Sequence, residues 1–413
     1  MQDNEKKPAL RFKGFTDPWE QRKLGELSRS FEYGLNAAAK EYDGQNKYLR
    51  ITDIDDTSRQ FVSADITSPD ANLAEADNYR LSDGDVLFAR TGASVGKTYL
   101  YKKSDGLVYF AGFLIRAKIK ESVSAGFIFQ NTLTRSYERY IAITSQRSGQ
   151  PGVNAQEYAE YQLMLPELFE QEKIAKLLEA LDILITLHQR KYEKLVNIKK
   201  SMLDKMFPKN GASVPEIRFK GFTDLWEQRK LGEIAVFSKG VGYSKNDLCE
   251  EGTPIILYGR LYTKYETCIF DVDTFVKEKA GGVYSKGGEV IVPASGETAE
   301  DISIASVVVK PGILLGGDLN IVSPTAEYDS AFLALTISSG ATHKYLSSLA
   351  QGKSVVHLHN ADIQSVSAKF PTKREQEKIH LLFGKIDTLI TLHQRKLEKL
   401  QNIKKSCLEK MFV

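Results

Sequence analysis

Cysteine is scarce in this chain of 413 residues: Cys249, Cys268 and Cys407 are the only three, and none has paired or Cys-x-x-Cys spacing. That pattern fits a reducing, cytoplasmic setting. Long apolar runs are missing as well. None approaches the ~18 residues of a membrane span, and the leading MQDNEKKPAL is polar, with no apolar signal core. No membrane is therefore expected. Excess charge is missing too: 56 Lys and Arg against 53 Asp and Glu leave +3. Such a balance neither demands nor excludes nucleic acid, so the distribution of charge has to decide. Catalytic signatures are also lacking. There is no Asp/Asn-Pro-Pro-Tyr/Phe methyltransferase motif, no Gly-x-Gly-x-x-Gly cofactor loop and no Walker motor. No Ser/His/Asp or Cys/His set has recognisable context. The chain reads as non-catalytic, with no metal site.

What the sequence does hold is written twice. Glu170–Phe207 reads EQEKIAKLLEALDILITLHQRKYEKLVNIKKSMLDKMF, and Glu375–Phe412 repeats it 205 residues on as EQEKIHLLFGKIDTLITLHQRKLEKLQNIKKSCLEKMF. Neither copy has a proline and only one glycine, Gly384, interrupts them, so both can be continuous helices. Apolar residues recur at heptad spacing: Ile174, Leu181 and Leu195 in the first, Ile379, Ile386 and Leu400 in the second. Leu184, Ile198, Leu389 and Ile403 take the alternate step. The spacing predicts a pair of coiled-coil helices, each roughly 55 Å long at ~1.5 Å per residue. His188 with Lys191, and His393 with Lys396, interrupt each seam. They read either as a register lock or subunit contact, or as a seam opening so that the polar heads reach water.

A leading segment is duplicated as well. RFKGFTDPWEQRKLGEL at Arg11–Leu27 recurs as RFKGFTDLWEQRKLGEI at Arg218–Ile234, with 15 of 17 positions identical. Two units of about 205 residues follow. Length alone suggests two to three domains. Each unit holds a leading segment, a body and a long helix. Boundaries fall at 1–165, 166–210 (helix and linker), 211–370 and 371–413. The bodies differ in sequence. Both mix short Gly-punctuated β runs, such as DGDVLFAR (83–90) and GGEVIVPAS (287–295), with amphipathic stretches such as Ala125–Ser136 and Ser330–Leu349. The fold class is α+β, two mixed α/β bodies. Pseudo-twofold symmetry would make the helices antiparallel, with the bodies at opposite ends.

Four loops carry candidate binding residues. ARTGASVGKT presents Arg90, Thr91, Ser94 and Lys97 after a strand. It imitates a phosphate loop, but the first glycine is misplaced and the following YLYKK alternates like a strand, which argues against nucleotide binding. In the second body PASGETAED supplies Ser295 and Glu297. Before the helices, SQRSGQPGVN holds Arg147, Ser148 and Gln150, while AQGKSVVHLHN holds Lys353, Ser354, His357 and His359. Arg suits guanine, Gln adenine, and Glu a cytosine amino group, so these residues fit base readout, against the plain alternative of solvated loops. The later halves of both helices are basic, which suits spacer DNA, a solvated flank or a docking face equally.

The duplicated scaffold, LPELFEQEKIAKLL at 165–178, FPTKREQEKIHLLF at 370–383 and the GDVLFAR strand resemble the specificity subunit of Type I restriction-modification systems. The resemblance spans nearly the whole chain. It implies two target recognition domains, each reading one half of a split, asymmetric site in double-stranded DNA. It also implies two methyltransferase subunits and restriction/motor subunits as partners, which methylate adenine and cleave. S-adenosylmethionine, ATP and Mg²⁺ would belong to those partners, none to this chain. Readers in adjacent major grooves sit ~34–36 Å apart, a separation such helices can set. The rival readings are a coiled-coil scaffold that binds no DNA and a self-sufficient enzyme.

Overall fold

In the computed structural model, which describes residues 7–62, 64–209, 211–352 and 355–413, DGDVLFAR becomes the strand Asp85–Ala89 with every residue buried. Successive side chains point to opposite faces of a strand. Val86 and Phe88 accordingly pack on one side with Ile115, Ala117, Trp19 and Phe127. Leu87 and Ala89 join Leu49, Phe110 and Leu114 on the other. A strand covered on both faces reads as a continuous apolar run, which is why no alternation shows in its sequence.

The chain forms two compact units. One comprises Met1–Gln189 with Arg395–Val413, the other Arg190–Gln394. In the first, the main sheet runs in the order Ser28–Tyr33, Leu114–Ile119, Asp85–Ala89, Thr98–Leu100, all antiparallel. In the second, Ala235–Lys239, Leu319–Pro324, Glu289–Pro293 and Ser306–Val308 repeat that order and sense. Cys268–Ile269 is added in parallel at the edge. Bodies with little sequence in common thus build the same four-strand order, each in its own sheet.

Two stretches expected as single helices are each divided. Ala125–Asn131 is followed by Arg135–Thr144, because the Thr134 hydroxyl accepts from Tyr137 N and caps a new helix. Ser330–Ile337 is followed by Gly340–Leu349, and Gly340 at the break has φ of 60°.

The duplicated residues build a duplicated clamp. Glu20–Lys23 pairs antiparallel with Gln162–Leu165, and Glu227–Lys230 with Ser367–Phe370. The long helices begin right after these partner strands, as Leu168–Met206 and Lys373–Lys410. Arg11 donates two hydrogen bonds, 2.7 and 2.8 Å, to the fully buried Glu170. Arg218 does the same to Glu375 at 2.7 Å each. Such forked, charge-assisted pairs fix orientation as well as position. Gln171 accepts from Ser124 N and donates to Pro166 O; Gln376 accepts from Asp329 N and donates to Pro371 O. The Glu-Gln signature is therefore the bolt that fastens each body to its helix.

Each unit also contains, as part of itself, the closing stretch of a long helix, Arg395–Val413 in the first and the residues from Arg190 onward in the second. In the first, Cys407, Met411 and Phe412 pack with Ile174, Leu178, Leu181 and Trp19. In the second, Met206 and Phe207 pack with Ile379, Phe383, Ile386 and Trp226. Asp182 pairs with Lys404 at 2.5 Å and Asp387 with Lys199 at 2.6 Å, the same contact made once per unit. Within each unit, then, the start of one helix lies against the end of the other, an antiparallel pair. Leu195 and Leu400 are half-buried, as are His188 and His393, while Lys191 and Lys396 are exposed. Leu184, Ile198, Leu389 and Ile403 at the alternate heptad step are exposed as well. Two helices flanked by a body at the buried end cover one stripe of each other, not the full two-position seam of a free coiled coil.

Candidate nucleic-acid interface

The loop after the central strand and the loop before the long helix, 60 residues apart in sequence, meet in each unit. In the first, Thr91 bridges Gly152, Gly92 N donates to Pro151 O at 3.0 Å, and Val153 N donates to Arg90 O at 2.9 Å. Arg90, Thr91 and Ser94 are thereby brought beside Arg147, Ser148 and Gln150. In the second, Ser295 and Gly296 pair with His357 and Val356, and Leu358 N donates to Ala294 O at 3.0 Å. That brings Ser295 and Glu297 beside His357 and His359. Lys353 and Ser354 lie outside the described residues.

Close packing holds the first of these surfaces in shape. Gly92 and Gly96 have φ of 79° and 84°, and a Cβ on Gly96 would come within 2.6 Å of Ile141. The Tyr158 hydroxyl donates to Ala89 O at 2.6 Å and the Tyr137 hydroxyl to Gly96 O at 3.1 Å. Burial pushes both phenols well up, so both stay protonated donors.

Individual residues stand differently in this frame. Arg90 is half-buried, its guanidinium 5.0 Å above the Tyr33 ring, with one hydrogen bond of 3.4 Å to Gly112 O. Its remaining donors point to no protein acceptor among the described residues. Arg147 is exposed but anchored, donating to Thr144 O, Gln146 O and Glu157. Ser148, Gln150 and Glu297 are exposed. His357 and His359 are exposed with rings stacked at 6.3 Å, on either side of buried Leu358. Such a pair presents two imidazole edges to one surface.

Two of the candidates face inward. Lys97 is buried, donates to Ile54 O at 3.0 Å and pairs with Asp56 at 2.5 Å. Its strand continues as Thr98–Leu100 and opens no helix. The phosphate-loop likeness is thereby ruled out, and Lys97 holds the loop from beneath. Ser295 is also buried, although its ladder partner His357 is exposed.

Tyr33 and Phe113 were not read from the sequence as part of this surface, yet 46% of Tyr33 and 64% of Phe113 is exposed beside Arg90. Arg90 N donates to Phe113 O at 3.0 Å. The signal was available: an aromatic between Gly112 and the apolar strand Leu114–Ile119 is a large side chain where a polar turn residue is expected.

Among the described residues no group of His, Cys, Asp and Glu is placed to hold a metal, and no helix is long and apolar enough to cross a membrane.

The model of the Type I restriction modification DNA specificity domain matches this chain twice, over residues 16–197 and 223–402. The chain belongs to this family. It is 22% identical over 403 residues to the Type I restriction enzyme MjaVIII specificity subunit of Methanocaldococcus jannaschii, covering 94% of this chain and 91% of that protein. The crystal structure of the Type I restriction-modification system S subunit from M. genitalium is similar in fold, with a TM-score of 0.67 over 98% of this chain and 99% of that one, at 14% identity. The two specificity domains each take in one body and the greater part of the long helix that follows it. The α+β reading and the antiparallel helices agree with that fold.

Proposed function

We propose that this chain is the DNA-reading subunit of a Type I restriction-modification complex acting in the cytoplasm. Each unit reads one half of a split, asymmetric site in double-stranded DNA. The observation that carries this reading is the pair of loop junctions: one frame, built twice, presenting Arg90, Thr91 and Gln150 in one unit and Glu297, His357 and His359 in the other. Like frames with unlike side chains imply unlike half-sites. The chain itself performs no chemistry. Two methyltransferase subunits and restriction/motor subunits methylate adenine and cleave, and they bring S-adenosylmethionine, ATP and Mg²⁺. The exposed apolar residues Ile183, Leu184 and Leu187 in the first unit, and Leu389 and Leu392 in the second, each offer those subunits apolar contacts.

The test is selection of random duplexes by the full chain assembled with its methyltransferase subunits. A bipartite motif with dissimilar halves is expected, with affinity falling linearly in log salt by about 0.9 per phosphate neutralised. A scaffold without readout would enrich no motif. A self-sufficient enzyme would instead transfer methyl groups from labelled S-adenosylmethionine with no partner present.

A further inference from the structure

The backbone hydrogen bonds of the two units superpose residue for residue around the reading surface. Gly34 N donates to Leu114 O and Leu35 N to Phe110 O in the first; Gly240 N donates to Leu319 O and Val241 N to Leu315 O in the second. The close approach is shared as well: a Cβ on Gly34 would lie 2.1 Å from Ala111 O, and one on Gly240 2.0 Å from Gly316 O. Arg90 N bonds Phe113 O at 3.0 Å, and Ala294 N bonds Asp318 O at 2.8 Å. Val153 N bonds Arg90 O, and Leu358 N bonds Ala294 O. Tyr33 faces Ile115 in the ladder as Lys239 faces Asn320. The correspondence is therefore fixed: Tyr33 with Lys239, Arg90 with Ala294, Phe113 with Asp318, Gly152 with His357.

Phe113 and Asp318 are both exposed, at the same turn, and differ completely in chemistry. Asp318 holds φ of 57°, a left-handed conformation uncommon outside glycine, with its side chain exposed. Arg90 lies on Tyr33 beside Phe113, so a donor fork and an apolar face sit side by side. In the second unit the fork is replaced by small, buried Ala294, and an acceptor stands where the apolar face was.

We propose that this turn is the position where the two half-sites are told apart: Phe113, with Arg90, contacts the thymine methyl and guanine edge of one half-site, and Asp318 accepts from a cytosine amino group in the other. The proposal rests on the DNA-reading function above and names the residues that carry its asymmetry. Such direct contacts are each worth about 5- to 150-fold in discrimination.

The test maps methylated positions on a random-sequence plasmid library, using the full chain with its methyltransferase subunits and S-adenosylmethionine. Phe113→Ala and Arg90→Ala should relax one and the same half of the motif by at least fivefold. Asp318→Asn, which keeps the left-handed backbone, should change the other half alone and turn a cytosine preference toward adenine. Phe113→Ala and Asp318→Asn altering the same half, or neither altering the motif while melting as wild type, would overturn the proposal. Should one variant melt early, Phe113→Leu and Asp318→Glu, which preserve apolarity and charge, must retain the motif. Wild-type complex that methylates without any motif would overturn the DNA-reading function instead.

Discussion

Arg116 is the largest polar side chain sealed in the first body, 1% exposed in the middle of the sheet. It donates to Arg80 O and Asn78 O at 2.7 Å each, pairs with Glu32 and Asp85, and lies over the Phe110 ring at 4.9 Å. A cation this deep is tolerated because both terminal nitrogens are paired, even though Nε has no acceptor among the described residues, so removing one end is costly. Arg116→Ala should destabilise the unit by about 3–5 kcal/mol, read from denaturant midpoints. Burial tends to raise the Glu32 carboxyl, but bonds from Ser30, Arg116 and Lys118 outweigh it and hold it at about 2, against an ordinary 4.5. Because the folded value is depressed, its contribution is complete above about 4.5 and fades as pH falls towards 2. Glu32→Gln should therefore melt below wild type at pH 7, and the two curves should converge in acid; a gap that persists at pH 2 would contradict the pairing. Lys97 makes the same point about side chains judged by type. It looks like a phosphate ligand in sequence, yet its loop turns it under the surface toward Asp56, which only the fold could reveal. Lys97→Met should lower stability and leave the salt dependence of DNA binding unchanged.

At the scale of elements, the duplicated sequences proved to be joints. Trp19 meets Phe412 and Phe127 at 6.4 and 5.8 Å; Trp226 meets Phe207 and Phe332 at 6.2 and 5.7 Å. Each helix end thus plugs an aromatic pocket whose walls come from the leading segment and a body helix, Ala125–Asn131 in the first unit and Ser330–Ile337 in the second. Phe412→Ala should destabilise the first unit, and Phe207→Ala the second, by about 3–5 kcal/mol each. Hydrogen exchange would localise the two effects, and protection lost equally in both units would count against separate plugs. The helices and their repeat were plain in the sequence because a period sustained over five heptads is a long signal. The four-residue strands Glu20–Lys23 and Gln162–Leu165 were not, since a run that short has no period and its partner lies 140 residues away. The meeting of Thr91 with Gly152 was hidden for the same reason. Residue type nominated the loops one at a time, but only the ladder around the central strand joins them, and it also admits Tyr33 and Phe113.

At the scale of the molecule, Leu168–Met206 and Lys373–Lys410 begin in one unit and end in the other without a break. If each unit reads its own half-site, helix length and DNA spacing are linked quantitatively. Seven residues added to both helices lengthen them by ~10.5 Å and turn their faces by only ~20°. On DNA that length is about three base pairs, which rotate the groove by roughly 100° at 10–10.5 base pairs per turn. A single heptad therefore corrects distance but spoils phase. Three heptads add ~31 Å, close to the ~34 Å of one DNA turn, and with the faces turned by ~60° they leave a smaller phase error than one heptad does. One inserted heptad should weaken selective binding at every spacer, whereas three should restore it in part on a site whose halves are about ten base pairs further apart. Selection of duplexes with randomised spacers reads both outcomes. Recovery by one heptad on a spacer three base pairs longer would mean that the bodies, or the DNA, absorb the missing rotation. An unchanged spacer with three would show that the helices do not measure the site.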